Sequence, residues 1–258
     1  MPLFTDQIGH HINFEKTPTR IVSIVPSQSE FLWDIGLREE LVGITRFCIH
    51  PEEMYKKIER VGGTKELNLE KIRLLKPDLI IGNKEENSEE QIRQLQEEFP
   101  VWMSDIYSFE DSFKMMHDLG IILEKEREAK KIVADIKKTL PKIKNKFSAQ
   151  TLAYFIWNKP YMLAAKNTFI DYVINYIGFT NACASLERYP EMTDEELVKL
   201  NPELCFLSSE PFPFKEKHVE ALQTILPKAK IRIVDGEIFS WYGSRLLNLA
   251  DYLNSLAI

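Results

Sequence analysis

The sequence predicts an α/β protein made of two similar lobes, each with a parallel sheet. Short apolar runs alternate with helix-periodic segments along most of the chain, the pattern of strands covered by helices on both faces. One stretch, from Ser108 to about Phe147, interrupts the alternation with helical periodicity alone. The third observation is an internal repeat. Sliding the chain by 125 positions lays Glu70 on Glu195, Ile72 on Leu197, Leu75 on Leu200, Pro77 on Pro202, Leu79 on Leu204 and Glu85 on Glu210. Near an offset of 130, the strand ends Ser104-Asp105 and Val234-Asp235 match in the same way. A Pro between a helix and a strand is common in any α/β chain, so the weight rests on the whole run of matches. A repeat this long exceeds a solenoid unit and argues for two lobes.

Taken in order, Thr19 to Pro26 (TRIVSIVP) reads as a buried strand, followed by a helix ending at Gly36. Ser27 and Glu30 have capping-box spacing at its start. ELVGIT is the next strand, and RFCIHPEEMYKKIE is a loop leading to the Gly62-Gly63 turn. Leu69, Ile72 and Leu75 follow helical spacing until Pro77 stops the helix before the strand DLII. SEEQIRQLQEE and VWMSDI add one more helix and strand. In the helical stretch, Pro141 should end or kink the chain's long helix. The second half then runs LAYFIW, the helix in TFIDYVINYIGF, TDEELVKL, ELCFLSS, KEKHVEALQTIL, IRIVDG and a final helix from Ser244. The expected division is an N-terminal lobe over 1–123, a linking helix over 124–147 and a C-terminal lobe over 148–258.

Composition bounds the function classes. With 258 residues, 44% hydrophobic and 28% charged, the chain has the make-up of a soluble globular protein, outside the disordered, collagenous and disulfide-scaffold ranges. Its 33 Lys and Arg against 39 Asp and Glu disfavour a nucleic-acid partner. Cys48, Cys183 and Cys205 form no CxxC pair and read as packing residues. MPLFTDQIGHHINF lacks the basic region and apolar run of an export signal, and no apolar run is long enough to span a membrane.

In open parallel sheets ligands sit beyond the carboxyl ends of the strands. Those loops hold Ser27 and Gln28; Arg46, Phe47 and His50; Asn83 to Asn87; Asp105 and Tyr107; Trp157 and Tyr161; Glu187, Arg188 and Tyr189; Glu210, Phe212, Phe214 and Lys215; and Glu237, Ser240, Trp241, Tyr242 and Arg245. Aromatics concentrated at loop tips, interleaved with charge, suit a large flat or multidentate amphipathic ligand, or else pack on one another. Catalytic signatures are lacking: no GxSxG elbow, no GxGxxG after the first strand and no Walker loop occur. Glu85 and Glu86 are adjacent, a poor arrangement for an opposed acid and base. His10, His11, His50, His117 and His218 show no zinc-binding spacing, so no resident metal is expected. Glu70 and Glu195 each fall in the first turn of a helix, after the capping residues Asn68 and Thr193, where an acid complements the helix dipole. As equivalent acids on two lobes they also suit docking to basic residues of a two-fold partner.

The run from RIVSIVPSQSEFLWDIGL through VGGTKELNLEKIRLLKPDLIIG to RYPEMTDEELVKLNPEL and VDGEIFSWYGSR resembles the helical-backbone substrate-binding proteins of ABC importers, a class that includes cobalamin, siderophore and haem receptors. The resemblance implies two Rossmann-like α/β lobes with parallel sheets joined by one long backbone helix. It also implies a monomeric, non-enzymatic receptor without a cofactor of its own, holding a metal chelate, corrinoid-like or ferric-siderophore-like, in a cleft. The aromatic cleft positions of the cobalamin receptors fall near Phe47, Trp157 and Tyr189, and the strand-end loops add Tyr107, Arg188, Phe212, Glu237, Trp241, Tyr242 and Arg245 as expected ligand-binding residues. Glu70 and Glu195 would dock the ABC permease dimer, and the compartment would be periplasmic. Thr64, Glu237 and Trp241 depart from the cobalamin receptors' residues. A cytoplasmic small-molecule enzyme and a cytoplasmic corrinoid or metal carrier using the same cleft stay open, because the chain as written starts without an export signal.

Overall fold

A computed structural model describes residues 3–256, in two compact units. Among the described residues the first comprises 3–137 and 241–247, the second 138–240 and 248–256. The chain therefore leaves the first unit near the end of a helix, builds most of the second, and returns for seven residues before the C-terminal helix.

The first unit opens with a hairpin, β1 (Leu3–Thr5) and β2 (His11–Asn13). Then come β3 (Ile21–Ser23), α1 (Pro26–Asp34), β4 (Leu41–Ile44), α2 (Glu52–Lys57), β5 (Glu59–Arg60), α3 (Leu69–Leu75), β6 (Leu79–Asn83), α4 (Glu89–Gln96), β7 (Val101–Ser104), α5 (Phe109–Ile122) and α6 (Glu126–Thr139). Five strands form one sheet in the order β5-β4-β3-β6-β7, all parallel. On one face of it Val22, Ile24, Ile80, Val101 and Met103 pack against Ile72 of α3 and Ile92 and Leu95 of α4. Asp6 ties the hairpin down: its carboxylate accepts from the backbone N–H groups of Ile8, His10 and Met103.

The second unit contains β8 (Thr151–Trp157), β9 (Tyr161–Leu163), α7 (Phe169–Tyr176), β10 (Thr180–Asn181), β11 (Glu191–Met192), α8 (Asp194–Leu200), β12 (Leu204–Ser208), α9 (Glu216–Ile225), β13 (Lys230–Val234), α10 (Gly236–Ser240) and α11 (Leu249–Ser255). β10, β12 and β13 extend the sheet from β8 in parallel, while β9 and β11 add an antiparallel edge. Ala153, Phe155, Cys205, Leu207 and Ile231 pack against Leu197 and Leu222. All three cysteines are buried free thiols, as packing residues should be.

The repeat is visible element by element. α3 and α8 begin after Asn68 and Thr193, whose side chains accept from the backbone N–H three residues on, and Thr193 and Glu196 complete a capping box. Both helices stop at a left-handed residue, Lys76 (φ 47) and Asn201 (φ 44), just before the proline and the strand. The following acids do the same job in each unit: Asp78 accepts from the backbone of Thr19 and Arg20, and Glu203 from the backbone of Thr151. Each ties the start of a second strand to the start of its unit's central strand.

Pro141 lies in a 3₁₀ turn (Leu140–Lys142) that ends α6, as its missing N–H requires. The start of α1 differs from expectation. Pro26 occupies the first helical position and the extended Val25 precedes it, so Ser27 lies inside the helix and caps nothing. Glu30 is thereby released from a capping role and turns to Arg245.

Candidate functional site

In the first unit the carboxyl ends of β3, β6 and β7 rest on a buried polar network. Asn87 donates to the carbonyls of Ile24 and Thr64 while its oxygen accepts from the Asn83 N–H. Asn83 donates to the Ser104 hydroxyl at 2.9 Å and accepts from the N–H groups of Glu85 and Glu86, which fixes the acidic loop after β6. Gln28 donates to the Gly82 carbonyl from the first turn of α1. These bonds satisfy the strand-end backbone and make a rigid floor for whatever the loops hold.

Phe47 stands on the loop after β4 with 48% of its surface exposed, and the Arg46 guanidinium lies 5.0 Å from its ring centre. Gly63 makes room for both: a Cβ there would come within 3.1 Å of Arg46 and 3.3 Å of Phe47. Tyr107 follows β7, 36% exposed, its N–H donating to Asp111. Lys84 and Asp105 pair at 2.7 Å between the neighbouring loops.

Trp241, Tyr242 and Arg245 are brought together in the first unit by the returning segment, and they are largely buried. Trp241 is 6% exposed, edge-on to His50 with ring centres 5.9 Å apart, and the Arg245 guanidinium sits 4.9 Å from its ring. Arg245 makes a two-pronged ion pair with Glu30, both contacts at 2.9 Å, the side chains 11% and 13% exposed. Burial pushes the Tyr242 phenol up, and the Ser104 and Ser27 side chains beside its hydroxyl offset this in part. Burial also raises the Asp34 carboxyl, against the pull of Ser244 and Arg245. The Ser112 hydroxyl accepts from the Gly243 N–H, completing the attachment.

In the second unit Trp157, at the end of β8, is 41% exposed and meets Phe212 with ring centres 5.5 Å apart. Phe212 packs edge-on to Phe214 (4.9 Å) and His218 (5.2 Å). His218 holds this group to α9: its Nδ1 accepts from the Lys215 N–H at 2.8 Å, and burial with the nearby Lys217 charge keeps its pKa below the ordinary value. Arg188 adopts φ 61, donates to the Asn167 carbonyl and lies 5.6 Å from the Tyr189 ring. Glu237 is half-buried in the first turn of α10, where its N–H donates to Asp235.

Local groups form among the expected positions: Arg46 with Phe47, Trp157 with Phe212, Arg188 with Tyr189, and the buried trio of the returning segment. Sequence reasoning gave no role to His218 and did not foresee that Glu30 and Arg245 would pair. The only signal for His218 was its position three residues after Lys215; the other pair is 215 residues apart and left none. Glu70 and Glu195 are exposed on α3 and α8. Glu70 pairs with Arg73 at 2.6 Å, and hydrogen bonds from its own backbone N–H and from Thr193 hold the Glu195 carboxyl below its usual range. Among the described residues no group of three or more His, Cys, Asp or Glu is placed to hold a metal ion, and no helix is long and apolar enough to cross a membrane.

Two parallel α/β units with aromatic loops at their strand ends have a counterpart among known families, whose pattern matches residues 21–226. The chain belongs to the periplasmic binding protein family. This periplasmic binding protein is 32% identical over 211 residues to an ABC transporter substrate-binding lipoprotein of Bacillus subtilis, spanning 77% of this chain and 66% of that one. It is 24% identical over 248 residues to a vitamin B12-binding protein of Pectobacterium carotovorum, covering 92% and 88% of the two chains. Among solved structures, a periplasmic heme-binding protein of Pseudomonas aeruginosa superposes with a TM-score of 0.78 at 22% identity, over 93% of this chain and 94% of that one. The likeness in structure supports the fold of the family: two α/β units with parallel sheets.

Proposed function

We propose that this chain is the substrate-binding component of an ABC importer and captures a metal chelate, of the corrinoid, haem or ferric-siderophore kind. It works as a receptor without turnover. The observation that carries the reading is the pair of exposed aromatic stations at strand ends, Phe47 under Arg46 in the first unit and Trp157 against Phe212 in the second. An exposed ring with a guanidinium or a second ring beside it offers a stacking face to a macrocycle and a cation to its carboxylates or phosphates. Tyr107, Arg188, Tyr189 and Glu237 supply further polar and aromatic edges on half-buried or exposed loops. Trp241, Tyr242 and Arg245 contribute indirectly, Arg245 by fixing the segment on which Trp241 stands beside His50.

The names of the relatives support this ligand range, since vitamin B12 and haem are both metal macrocycles. The lipoprotein relative supports a partner permease and a place of work outside the cytoplasmic membrane. Glu70 and Glu195, on matched capped helices of the two units, are the proposed docking acids for a permease pair. The test is a thermal-shift screen against cyanocobalamin, cobinamide, haem and ferric siderophores. A ligand at 100 times its dissociation constant adds about 2.7 kcal/mol of stability. No shift with any of these classes overturns the reading. A ligand that is consumed assigns the site to an enzyme instead.

A further inference from the structure

The aromatic station of the second unit is fastened by a helix cap that can take a proton. α9 begins at Glu216 after Lys215, so His218 is its third residue. In a capping box that position belongs to Glu or Gln, whose side-chain oxygen reaches back to the N–H of the residue flanking the helix. Glu196 does this at the start of α8, accepting from the Thr193 N–H at 2.8 Å. His218 makes the same bond with a ring nitrogen: its Nδ1 accepts from the Lys215 N–H, also at 2.8 Å. A carboxylate keeps its acceptor through the neutral and mildly acidic range. An imidazole loses it on taking one proton, because both ring nitrogens of the imidazolium are donors.

The ring that makes this bond is also a wall of the station. Phe212 and Phe214 meet His218 edge-on, with ring centres 5.2 and 5.5 Å away, and Phe212 backs Trp157 at 5.5 Å. Phe214 is 5% exposed and anchored in the unit's core, whereas Phe212 is only partly buried against that core. Phe212 therefore depends on its neighbours for its place. The charges that act on His218 are those of Lys217 and Lys215 at its own helix start, and the loop after β12 brings the Phe212 and Phe214 rings against it. Both ammonium groups and the positive end of α9 oppose an imidazolium there.

We propose that His218 is a proton-operated latch: as neutral imidazole it holds Phe212 behind Trp157, and as imidazolium it leaves the Lys215 N–H and frees the pair. A proton from solvent goes to Nδ1, and two donors then face each other where one bond stood. The half-buried ring turns out to water, away from the two lysines. Burial and the Lys217 charge hold the His218 pKa below its ordinary value, so the latch is closed at neutral pH and opens as the pH falls below about 6.5 and through that lowered value. His218 is a positioning residue, acting through Phe212. The consequence for ligand rests on the receptor reading above: a chelate stacked on Trp157 is gripped at neutral pH and loosened in mild acid, its apparent dissociation constant scaling with the fraction of chains still latched.

The test labels the full chain with fluorotryptophan and follows the fluorine resonance of Trp157, assigned by its disappearance in Trp157→Phe, from neutral to mildly acidic buffer. The resonance is expected to move as a single-proton titration with its midpoint below about 6.5. His218→Gln keeps an acceptor for the Lys215 N–H that no proton removes, so its Trp157 resonance should stay near the neutral parent position throughout. His218→Ala should sit near the acid position throughout. A second arm titrates cyanocobalamin and haem. One pH unit below the midpoint about one chain in ten is latched, so the dissociation constant should rise about tenfold in the parent and stay level with pH in His218→Gln. A Trp157 resonance that ignores pH, or that titrates equally in His218→Gln, overturns the latch, and so does a dissociation constant that follows pH alike in both proteins. If neither chelate binds while the resonance follows His218, the failure belongs to the ligand reading and the latch stands. Melting curves of each variant at both ends of the pH range separate loss of the latch from loss of fold.

Discussion

Glu30→Gln is the perturbation that most directly probes how the returning segment is held. The change keeps the side chain's shape and removes the charge facing Arg245, whose guanidinium makes two 2.9 Å contacts with it at 11% exposure. Removing one partner of a buried pair costs about 3 kcal/mol or more, because the remaining charge keeps its desolvation penalty. Asp34 feels the Arg245 charge and is itself held above its ordinary pKa by burial, so it offsets the loss only in part. With an unfolding entropy of about 2.1 cal/mol/K per residue, that loss lowers the melting temperature by about 5 °C if all 258 residues unfold together. If the first unit melts alone the shift is larger. Arg245→Met should cost a similar amount by leaving Glu30 buried, whereas Glu30→Gln with Arg245→Met removes both charges and should cost far less than the sum. Calorimetry of the three variants reads this directly. Single variants within about 0.5 kcal/mol of the parent, as for an ordinary surface change, or a double variant equal to the sum, would refute the buried-pair account.

Trp157→Ala and Phe47→Ala should each weaken chelate binding by about 1 to 3 kcal/mol in titration calorimetry with little effect on folding, since both rings are substantially exposed. His218 is held below its ordinary pKa, so the folded chain binds fewer protons there than the unfolded chain. Its contribution to stability is complete above about pH 6.5 and is lost as the pH falls through the range between the ordinary and the folded value. His218→Gln should flatten that part of a melting-temperature profile between neutral and mildly acidic buffer; an unchanged profile would remove His218 from the account. Thr193→Ala breaks the capping box of α8 and should cost about 1 kcal/mol in denaturant titration, and Asn68→Ala a comparable amount in α3. Gly236→Ala places a Cβ 2.2 Å from the Ser208 hydroxyl, so the variant should melt well below the parent.

The parts of the molecule legible in the sequence are those whose causes are local. A cap, an amphipathic helix, a proline and an apolar strand lie within fifteen residues from Asn68 to Gly82, and the same set recurs from Thr193 to Leu207. Each signal acts through neighbours in the chain, so one reading of the unit gave both copies. Aromatics at strand ends were legible for the same reason, because the end of β8 fixes Trp157 and the end of β12 leads into Phe212. Their meeting at 5.5 Å was not, since it depends on how two loops 55 residues apart close on each other. Ser27 misled because a proline at the first helical position starts α1 before the hydroxyl can cap it. The attachment of residues 241–247 to the first unit rests on a carboxylate and a guanidinium that no periodicity connects.

That attachment sets an order on synthesis. The first unit's sheet is complete once Ser104 has been made, and its helices once α6 has been made, yet Trp241, Tyr242 and Arg245 belong to the same unit. At roughly 5 to 20 residues per second, about 5 to 20 seconds of translation separate Lys137 from those residues. Through that interval Glu30 has no guanidinium opposite it, and the sites that will bury Trp241 and Tyr242 are unfilled. A nascent chain stalled after residue 137 is therefore expected to remain open to protease, and protection should come only when Leu247 has cleared the ribosome.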